Sequence, residues 1–188
     1  MSGTTFQEIE HKYVLAAGED LSTFEAGCKS LDPIVDKELE VSDSYYILSG
    51  RDDVVLRHRL DAEIQQLTLK TRESDSEVRT EVNLALDNAS DQTEAIRAFL
   101  AHFPISATYS IQKFIRVFEY PDCEIVRYRA EYDGRVVHCV EFEAVGASDV
   151  QSALAVLTHY EAALGFEARE RTQKNLLDLL IPDNPIAQ

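Results

Sequence analysis

The 188-residue sequence has little of what marks a secreted or membrane-spanning protein. It contains no tryptophan, and its three cysteines form no Cys-x-x-Cys pair, which suits reduced thiols in a cytoplasm. It has no run of about 18 apolar residues, which excludes a transmembrane helix. The first seven residues carry neither the basic nor the apolar stretch of a signal peptide, so secretion is not expected. We expect a soluble cytoplasmic protein.

Basic residues are scarce, at 18 Lys and Arg against 34 Asp and Glu, which gives a formal charge of −16. A chain this acidic is repelled by nucleic acid and by anionic membranes, so neither is expected as a partner. The sequence also lacks a P-loop and the Gly-x-Gly-x-x-Gly, His-Glu-x-x-His and Gly-x-Ser-x-Gly motifs. With 45% hydrophobic residues, residues 1–188 suffice for a single domain with its own core.

Alternating polar and apolar residues predict about eight strands, and a few segments have helical spacing. Asp133-Gly134 predicts a two-residue hairpin turn, and Ser148 with Gln151 predicts the start of a long helix. Together these elements predict an α+β protein dominated by antiparallel sheet. The predicted strands are 6–15, 38–48, 54–60, 64–71, 77–86, 109–120, 124–132 and 136–145, and the predicted helices are 20–31, 91–103, 148–165 and 171–180.

The polar residues on these strands are unusual in type. Residues two apart in a strand share a face, and six predicted strands place almost only Arg, Lys and Glu on one face. For a single strand a solvated face is the simpler explanation, but solvated faces usually include Thr and Ser. The set carries a charge of +3 in a chain of −16. It comprises the bases Lys12, Arg57, Arg59, Lys70, Arg72, Arg79, Arg116, Arg127 and Arg129 and the acids Glu8, Glu10, Glu81, Glu131, Glu141 and Glu143.

These charged faces would line an interior if the strands closed into a barrel with their apolar faces outward, beneath the helices. About eight strands enclose room for one small ligand. Clustered arginines match phosphate oxygens, and carboxylates beside them imply a divalent cation, Mg²⁺ or Mn²⁺, that bridges the two. The expected metal ligands are the two Glu-x-Glu pairs, Glu8 with Glu10 and Glu141 with Glu143.

An ordered series of motifs, beginning with Glu-x-Glu-x-Lys in the first strand, carries a resemblance to a known family. The motifs are Glu8-Ile9-Glu10-His11-Lys12, Asp43-Ser44-Tyr45-Tyr46, Leu56-Arg57-His58-Arg59-Leu60, Leu67-Thr68-Leu69-Lys70, Arg79-Thr80-Glu81 and Val140-Glu141-Phe142-Glu143. In this order they strongly resemble the CYTH superfamily, the triphosphate tunnel metalloenzymes. The resemblance covers about residues 8 to 143, most of the chain.

The resemblance implies a closed eight-stranded antiparallel β-barrel, a tunnel with a polar lumen and with helices packed outside. It implies metal-dependent hydrolysis of inorganic tripolyphosphate or an organic triphosphate. The alternative is an adenylyl cyclase of class IV type that converts ATP to cyclic AMP and pyrophosphate. A non-catalytic phosphate-binding module is disfavoured because both carboxylate pairs are intact.

By the same resemblance, Glu8, Glu10, Lys12 and Glu143 would be catalytic, and Glu8, Glu10, Glu141 and Glu143 would bind the metal. The expected phosphate-binding residues are Lys12, Arg57, Arg59, Lys70, Arg79 and Arg116, and the charged faces add Arg72, Arg127 and Arg129.

Several choices stay open at this stage. Lys113 and Arg116 are three residues apart, so a regular strand cannot turn both inward; Arg116 is expected inside, and Lys113 would need a bulge. The resemblance also implies a further acidic metal ligand on the strand before the second Glu-x-Glu pair, and Glu131 is favoured because it has the right facing, whereas Asp133 falls in the turn. By the same resemblance, Glu81 would orient neighbouring basic groups. The organic part of the substrate, the metal and the formation of a homodimer are undetermined.

Overall fold

The alternating segments form eight strands and the helical segments form four helices in the part of the chain that the structure describes. This computed structural model describes residues 4–51, 53–71, 78–87 and 90–181, with the backbone alone for residues 4–8, 78 and 79. The strands are β1 (Thr4–Val14), β2 (Val35–Leu48), β3 (Val54–Leu60), β4 (Gln65–Thr71), β5 (Val78–Leu86), β6 (Ile105–Glu119), β7 (Cys123–Tyr132) and β8 (Arg135–Ala144). The helices are α1 (Ser22–Ser30), α2 (Thr93–Leu100), α3 (Val150–Ala163) and α4 (Leu176–Leu180). The predicted α+β class is confirmed.

All strand pairs are antiparallel, in the order β1-β5-β4-β3-β2-β6-β7-β8, and β8 pairs in turn with β1. The longest pairing joins β2 to β6 from Val35 to Leu48, with one irregularity between Ile47 and Leu48. Because each strand is twisted, the sheet is strongly curved and has an inner and an outer face. Side chains alternate between these faces, so the register of the strands decides which charged residues meet on the inside.

Apolar side chains pack on both faces of the curved sheet, in separate clusters. On the outer face, Phe118 and Phe142 are fully buried beneath α1 and α3. On the inner face, Ile111 is buried together with Leu177 and Leu180 of α4. Each large apolar side chain that is fully buried contributes about 1.5–3 kcal/mol to folding. The prediction of helices outside the sheet is therefore correct for α1 and α3, whereas α4 fills one end of the inside.

The predicted hairpin between β7 and β8 is present. Asp133 and Gly134 have φ values of 47° and 75°, and a two-residue type I′ turn requires positive φ at both of these positions. This turn sets the register of the two strands, so that Tyr132 lies opposite Arg135 and Glu124 lies opposite Glu143. A turn signal that can be identified in the sequence thus determines which residues of β7 share a face with the second Glu-x-Glu pair.

Two predicted helix ends need correction. The N-cap of α3 is Asp149, whose carboxylate accepts from the Ser152 backbone N–H at 2.8 Å, so the cap lies one residue after Ser148. The predicted helix 171–180 is wrong in its first half, since α4 begins only at Leu176. The Thr172 N–H donates to the Lys12 carbonyl at 2.9 Å, so this stretch lies along β1 instead of forming a helical turn. None of the helices in the described ranges is both long and apolar enough to cross a membrane.

Candidate functional site

The inner face of the sheet surrounds a cavity of about 840 Å³. Helix α4 lies at one end of this cavity, where Leu176 and Leu177 form part of its wall. The other end is bordered by the β3–β4 turn, with Asp61 and Glu63, and by Glu119 at the end of β6. The cavity is large enough for one small ligand, as the strand number predicts.

The described part of the lining carries acidic as well as basic side chains. Seven basic and nine acidic side chains of the described residues border the cavity, and Glu8, Arg72 and Arg79 are not counted because their side chains are not described. A polyanion entering this space meets carboxylates as well as cations, which makes a bound metal cation more important. The bases are Lys12, Lys37, Arg57, Arg59, Lys70, Lys113 and Lys174, and the acids are Glu10, Asp61, Glu63, Glu81, Glu119, Glu124, Glu141, Glu143 and Asp178.

Lys12 joins the two Glu-x-Glu pairs. Its Nζ atom lies 3.1 Å from Glu10 Oε1 and 3.0 Å from Glu141 Oε1, across the β1–β8 pairing. Tyr128 donates from its hydroxyl to the same Glu141 oxygen at 2.8 Å. Burial raises the pKa of Tyr128 well above its usual value, and the Glu141 charge adds to this, so the hydroxyl stays a donor. The two motifs, in the first and the last strand of the chain, therefore lie side by side at one place in the cavity.

Four inward carboxylates lie side by side across adjacent strands. The register places Glu10 opposite Glu143, Glu143 opposite Glu124, and Glu124 opposite Glu119, and we call this set the carboxylate row. All four border the cavity. Burial raises the pKa of Glu124, and the neighbouring Glu119 charge raises it further. Within the described ranges, no three acidic, His or Cys side chains already converge as in a formed metal site. Carboxylate oxygens are nevertheless the donors that Mg²⁺ and Mn²⁺ prefer, so the row fits such an ion.

Arg59 and Lys113 are held by a wholly buried acid. Asp43 accepts from Arg59 Nε and Nη2, both at 2.9 Å, and lies 2.7 Å from Lys113 Nζ. Burial alone would raise the pKa of Asp43, but the two cations hold it well below its usual range. These contacts fix two cations at the cavity wall before any anion binds, and they leave part of each group directed at the cavity.

Arg57 and Lys70 are organised by Glu81, which is the role that the family resemblance implies for it. Glu81 Oε2 lies 2.5 Å from Lys70 Nζ, and Glu81 Oε1 lies 3.8 Å from Arg57 Nη2. Arg57 also donates from Nη2 to Thr68 Oγ1 at 3.2 Å. Its buried Nε has no hydrogen-bond partner among the described residues. A buried guanidinium with an unused donor at the wall of a cavity is suited to binding an anion.

Three arginines and one acid predicted for the site lie on the outer face instead. Arg116 binds Asp36 and Glu38 of β2, and both Arg116 and Arg127 contact Glu25 of α1. Arg129 contacts Glu131 and stacks over Phe114. The β2–β6 pairing is regular between positions 113 and 116, so Lys113 turns inward without a bulge. The expectation that Arg116, Arg127, Arg129 and Glu131 line the lumen is wrong.

The inward acid of β7 is Glu124, which the sequence analysis missed. Glu131 faces outward and Asp133 occupies the turn, so neither candidate borders the cavity. Glu124 could have been predicted from the hairpin at Asp133-Gly134, because the register of this hairpin places Glu124 directly opposite Glu143.

Three of the predicted site residues cannot be placed by their side chains. Arg72 lies outside the described residues, and for Glu8 and Arg79 the backbone alone is described. The backbones of Glu8 and Arg79 pair with each other across β1 and β5. The roles of all three residues stay predictions.

Comparison with protein families gives a match over most of the chain. The CYTH domain model matches residues 7–157. The comparison with curated proteins gave no match.

Solved structures share the fold at low sequence identity. The PH1012 protein of Pyrococcus horikoshii OT3 is similar with a TM-score of 0.73 at 17% identity, over 92% of this chain and 99% of that one. A candidate adenylate cyclase of Bacillus halodurans has a TM-score of 0.62 at 16% identity, over 94% and 98% of the two chains. HpAC1 of Hippeastrum, a candidate adenylyl cyclase described as having a dominant triphosphatase activity, has a TM-score of 0.61 at 15% identity, over 95% and 98%.

Proposed function

Because the chain belongs to the CYTH domain family, we propose that it hydrolyses a triphosphate in a closed, metal-dependent tunnel formed by the curved sheet. The observation that carries this proposal is the meeting of both Glu-x-Glu pairs at Lys12, in a cavity whose opposite wall holds Arg57, Arg59 and Lys113. Phosphoryl transfer needs positioning and charge neutralisation more than covalent chemistry, and these residue types supply both.

The basic residues of the wall would bind the phosphate chain. Arg57 offers its unused Nε, and Arg59 and Lys113 are already oriented by Asp43. Lys12 and Lys70 would contact other phosphate oxygens, each while keeping contact with a glutamate. Fixed cations of this kind stabilise the negative charge of the transferring phosphoryl group at no cost in reorganisation. Arg79 lies two positions from Glu81 in β5 and remains a predicted phosphate-binding residue.

The metal, Mg²⁺ or Mn²⁺, would be held by Glu10, Glu141 and Glu143 with Glu124, and Glu8 remains a predicted ligand. When bound, such an ion neutralises phosphate charge and withdraws electrons from the phosphorus. The nine acidic residues of the lining would otherwise oppose a triphosphate. A carboxylate of the row would orient the attacking water by accepting one of its hydrogen bonds.

The test is a product analysis. Purified protein would be incubated with Mn²⁺ or Mg²⁺ and tripolyphosphate, ATP or thiamine triphosphate, and phosphate, pyrophosphate and cyclic AMP would be resolved. We expect phosphate release from at least one triphosphate and no cyclic AMP, in line with the triphosphatase activity described for HpAC1. Cyclic AMP and pyrophosphate as the main products of ATP would instead establish the cyclase reaction.

Glu124 is expected to bind the metal, and Glu131 is not. Glu124→Gln removes one charge from the carboxylate row at constant volume, so Mn²⁺ affinity should fall at least about tenfold in calorimetric titration. Glu131→Gln is the matched control, because Glu131 is on the same strand but faces outward beside Arg129. Equal Mn²⁺ affinity of the Glu124→Gln protein and the wild type would contradict this assignment.

Arg57 is expected to contribute directly to anion binding. Arg57→Ala should weaken binding of a non-hydrolysable triphosphate analogue, with Mn²⁺ present, by about 10- to 100-fold, the effect of losing a charged hydrogen bond. Arg116→Ala should change the affinity less than about twofold, since Arg116 lies on the outer face. Similar losses in both variants would mean that overall charge, and not the cavity, governs binding.

Arg59 is a poorer choice for this test. Removing it would leave the fully buried Asp43 with Lys113 as its main cation, which costs roughly 3–5 kcal/mol of stability. Arg59→Ala is therefore expected to lower the stability of the empty protein as well as its affinity for phosphate.

A further inference from the structure

A polar cluster, buried except for the partly exposed Arg171, lies behind β1, on the face away from the cavity. Glu161 of α3 accepts from Tyr13 at 2.5 Å and lies 2.6 Å from His11 Nδ1. Arg171 donates from Nη2 to the other Glu161 oxygen at 3.1 Å, and its Nη1 lies 3.1 Å from His11 Nε2. We call His11, Tyr13, Glu161 and Arg171 the latch. It joins β1, α3 and the chain that follows α3.

Burying the charged Glu161 of the latch costs free energy that an apolar side chain at the same position would not. The Glu161 side chain is only 2% exposed and lies in the outer core beside Leu157 and Tyr160. A buried carboxylate needs several partners to offset its lost hydration, and an apolar residue at this position would often be as stable. Burial would raise the pKa of Glu161, but its bonds to His11 and Tyr13 and the Arg171 charge lower it, so the group stays ionised.

The chain immediately after Arg171 enters the cavity wall. The Thr172 N–H donates to the carbonyl of Lys12, the residue that joins the two Glu-x-Glu pairs. Gln173 and Lys174 then border the cavity, followed by α4. Helix α4 has only five residues, too few to be stable alone, so its position depends on its packing against the inner face and on what holds the chain before it.

We propose that the latch positions residues 172–178 at the end of the cavity, so that side chains on the outer face of β1 control substrate binding on its inner face. Arg171 is a positioning residue in this scheme, since it contacts His11, Tyr13 and Glu161 but does not border the cavity. β1 alternates between the two roles, with His11 and Tyr13 in the latch and Glu10 and Lys12 in the site. The kinetic part of this proposal rests on the proposed function, and the structural part does not.

The test compares Arg171→Ala with Arg169→Ala. Arg169 lies two residues earlier, binds Glu19 at 2.6 Å and stacks on Phe166, but has no part in the latch. Amide hydrogen exchange over residues 172–181 would be measured first. We expect it to be about tenfold faster in Arg171→Ala and unchanged in Arg169→Ala, because local opening should follow loss of the charged hydrogen bonds.

Kinetics with tripolyphosphate at saturating Mn²⁺ give the second measurement. Arg171→Ala should raise KM about three- to tenfold with kcat changed less than about twofold, because residues at one end of the substrate are displaced. Plain loss of folded protein would lower apparent kcat and leave KM unchanged. Arg171→Lys keeps one bond to Glu161, so its KM should lie between the KM of the wild type and that of Arg171→Ala. If Arg171→Ala does not fold, Arg171→Lys takes its place in both measurements.

Unchanged exchange over residues 172–181, or equal acceleration in Arg169→Ala, would overturn the latch. Faster exchange with an unchanged KM would overturn its link to substrate binding. If the protein hydrolysed no triphosphate, the proposed function would fail, and the exchange comparison would still decide the structural part.

Discussion

Replacement of Glu10 or Glu143 by glutamine is expected to reduce kcat at least about 100-fold at saturating Mn²⁺, with the fold intact. The two residues face each other across β1 and β8 in the carboxylate row. Glutamine keeps the volume and one oxygen but removes the charge, and an amide oxygen is a much weaker ligand for a divalent cation. A site that loses one charge of the row should bind metal more weakly and should neutralise the transferring phosphoryl group less well.

A measurement of the melting temperature distinguishes this loss of turnover from unfolding of the variant. In Glu10→Gln the amide oxygen can still accept from Lys12, and Lys12 keeps its contact with Glu141, so the melting temperature should change by no more than a few degrees. Glu40→Gln, at an exposed position of β2, is the matched control and should retain full activity. Near-normal turnover of either site variant at saturating metal would show that these glutamates are not ligands.

The strand pattern predicted the inner faces of five strands correctly. The residues that it placed in the lumen from β1, β3, β4, β5 and β8 and that border the cavity are Glu10, Lys12, Arg57, Arg59, Lys70, Glu81, Glu141 and Glu143. In these strands many of the outward residues are apolar, such as Ile9, Leu56 and Phe142, and they contribute to the buried clusters beneath the helices. In these strands the charged residues and the buried apolar residues therefore identify the same face as the inner one.

The same rule fails on β6 and β7 for a physical reason. Alternation shows which residues share a face but not which face is inside. Here α4 occupies the inner side, so β6 and β7 present Ile115 and Tyr128 to it. Their outward Arg116 and Arg127 are balanced by Glu25 of α1, so charge is also stable outside. Nothing local in the sequence reveals that a five-residue helix from the C-terminal region packs inside the sheet.

The latch lies further beyond sequence reasoning. His11 and Glu161 are 150 positions apart and meet only because α3 packs across the outer face of β1. Glu124, by contrast, could be found from the register of the Asp133-Gly134 hairpin, since both of its strands are adjacent in the chain. The difference is one of contact order: local turns fix near neighbours, and helix packing brings together distant ones.

Metal and triphosphate should stabilise the protein together far more than either does alone. The described lining holds seven bases and nine acids, so the triphosphate alone meets the carboxylate row and the cation alone meets Lys12 and its neighbours. With both bound, each ligand neutralises the groups that oppose the other, which is positive coupling between two sites. When a ligand is at a hundredfold excess over its Kd, its binding to the folded state adds about 2.7 kcal/mol to the free energy of unfolding. For a domain of this size the melting temperature should rise by roughly 5–10 °C.

The measurement is thermal unfolding with Mn²⁺, with a non-hydrolysable triphosphate analogue, and with both, at matched ionic strength. The joint shift should exceed the sum of the separate shifts, and monophosphate with Mn²⁺ should give much less, because it spans fewer of the basic residues. In Glu10→Gln the excess should disappear while the protein still unfolds cooperatively, since the cation then loses a ligand. An additive joint shift, or one that monophosphate reproduces, would mean that the inner charges are merely solvated and that metal and triphosphate do not share this cavity.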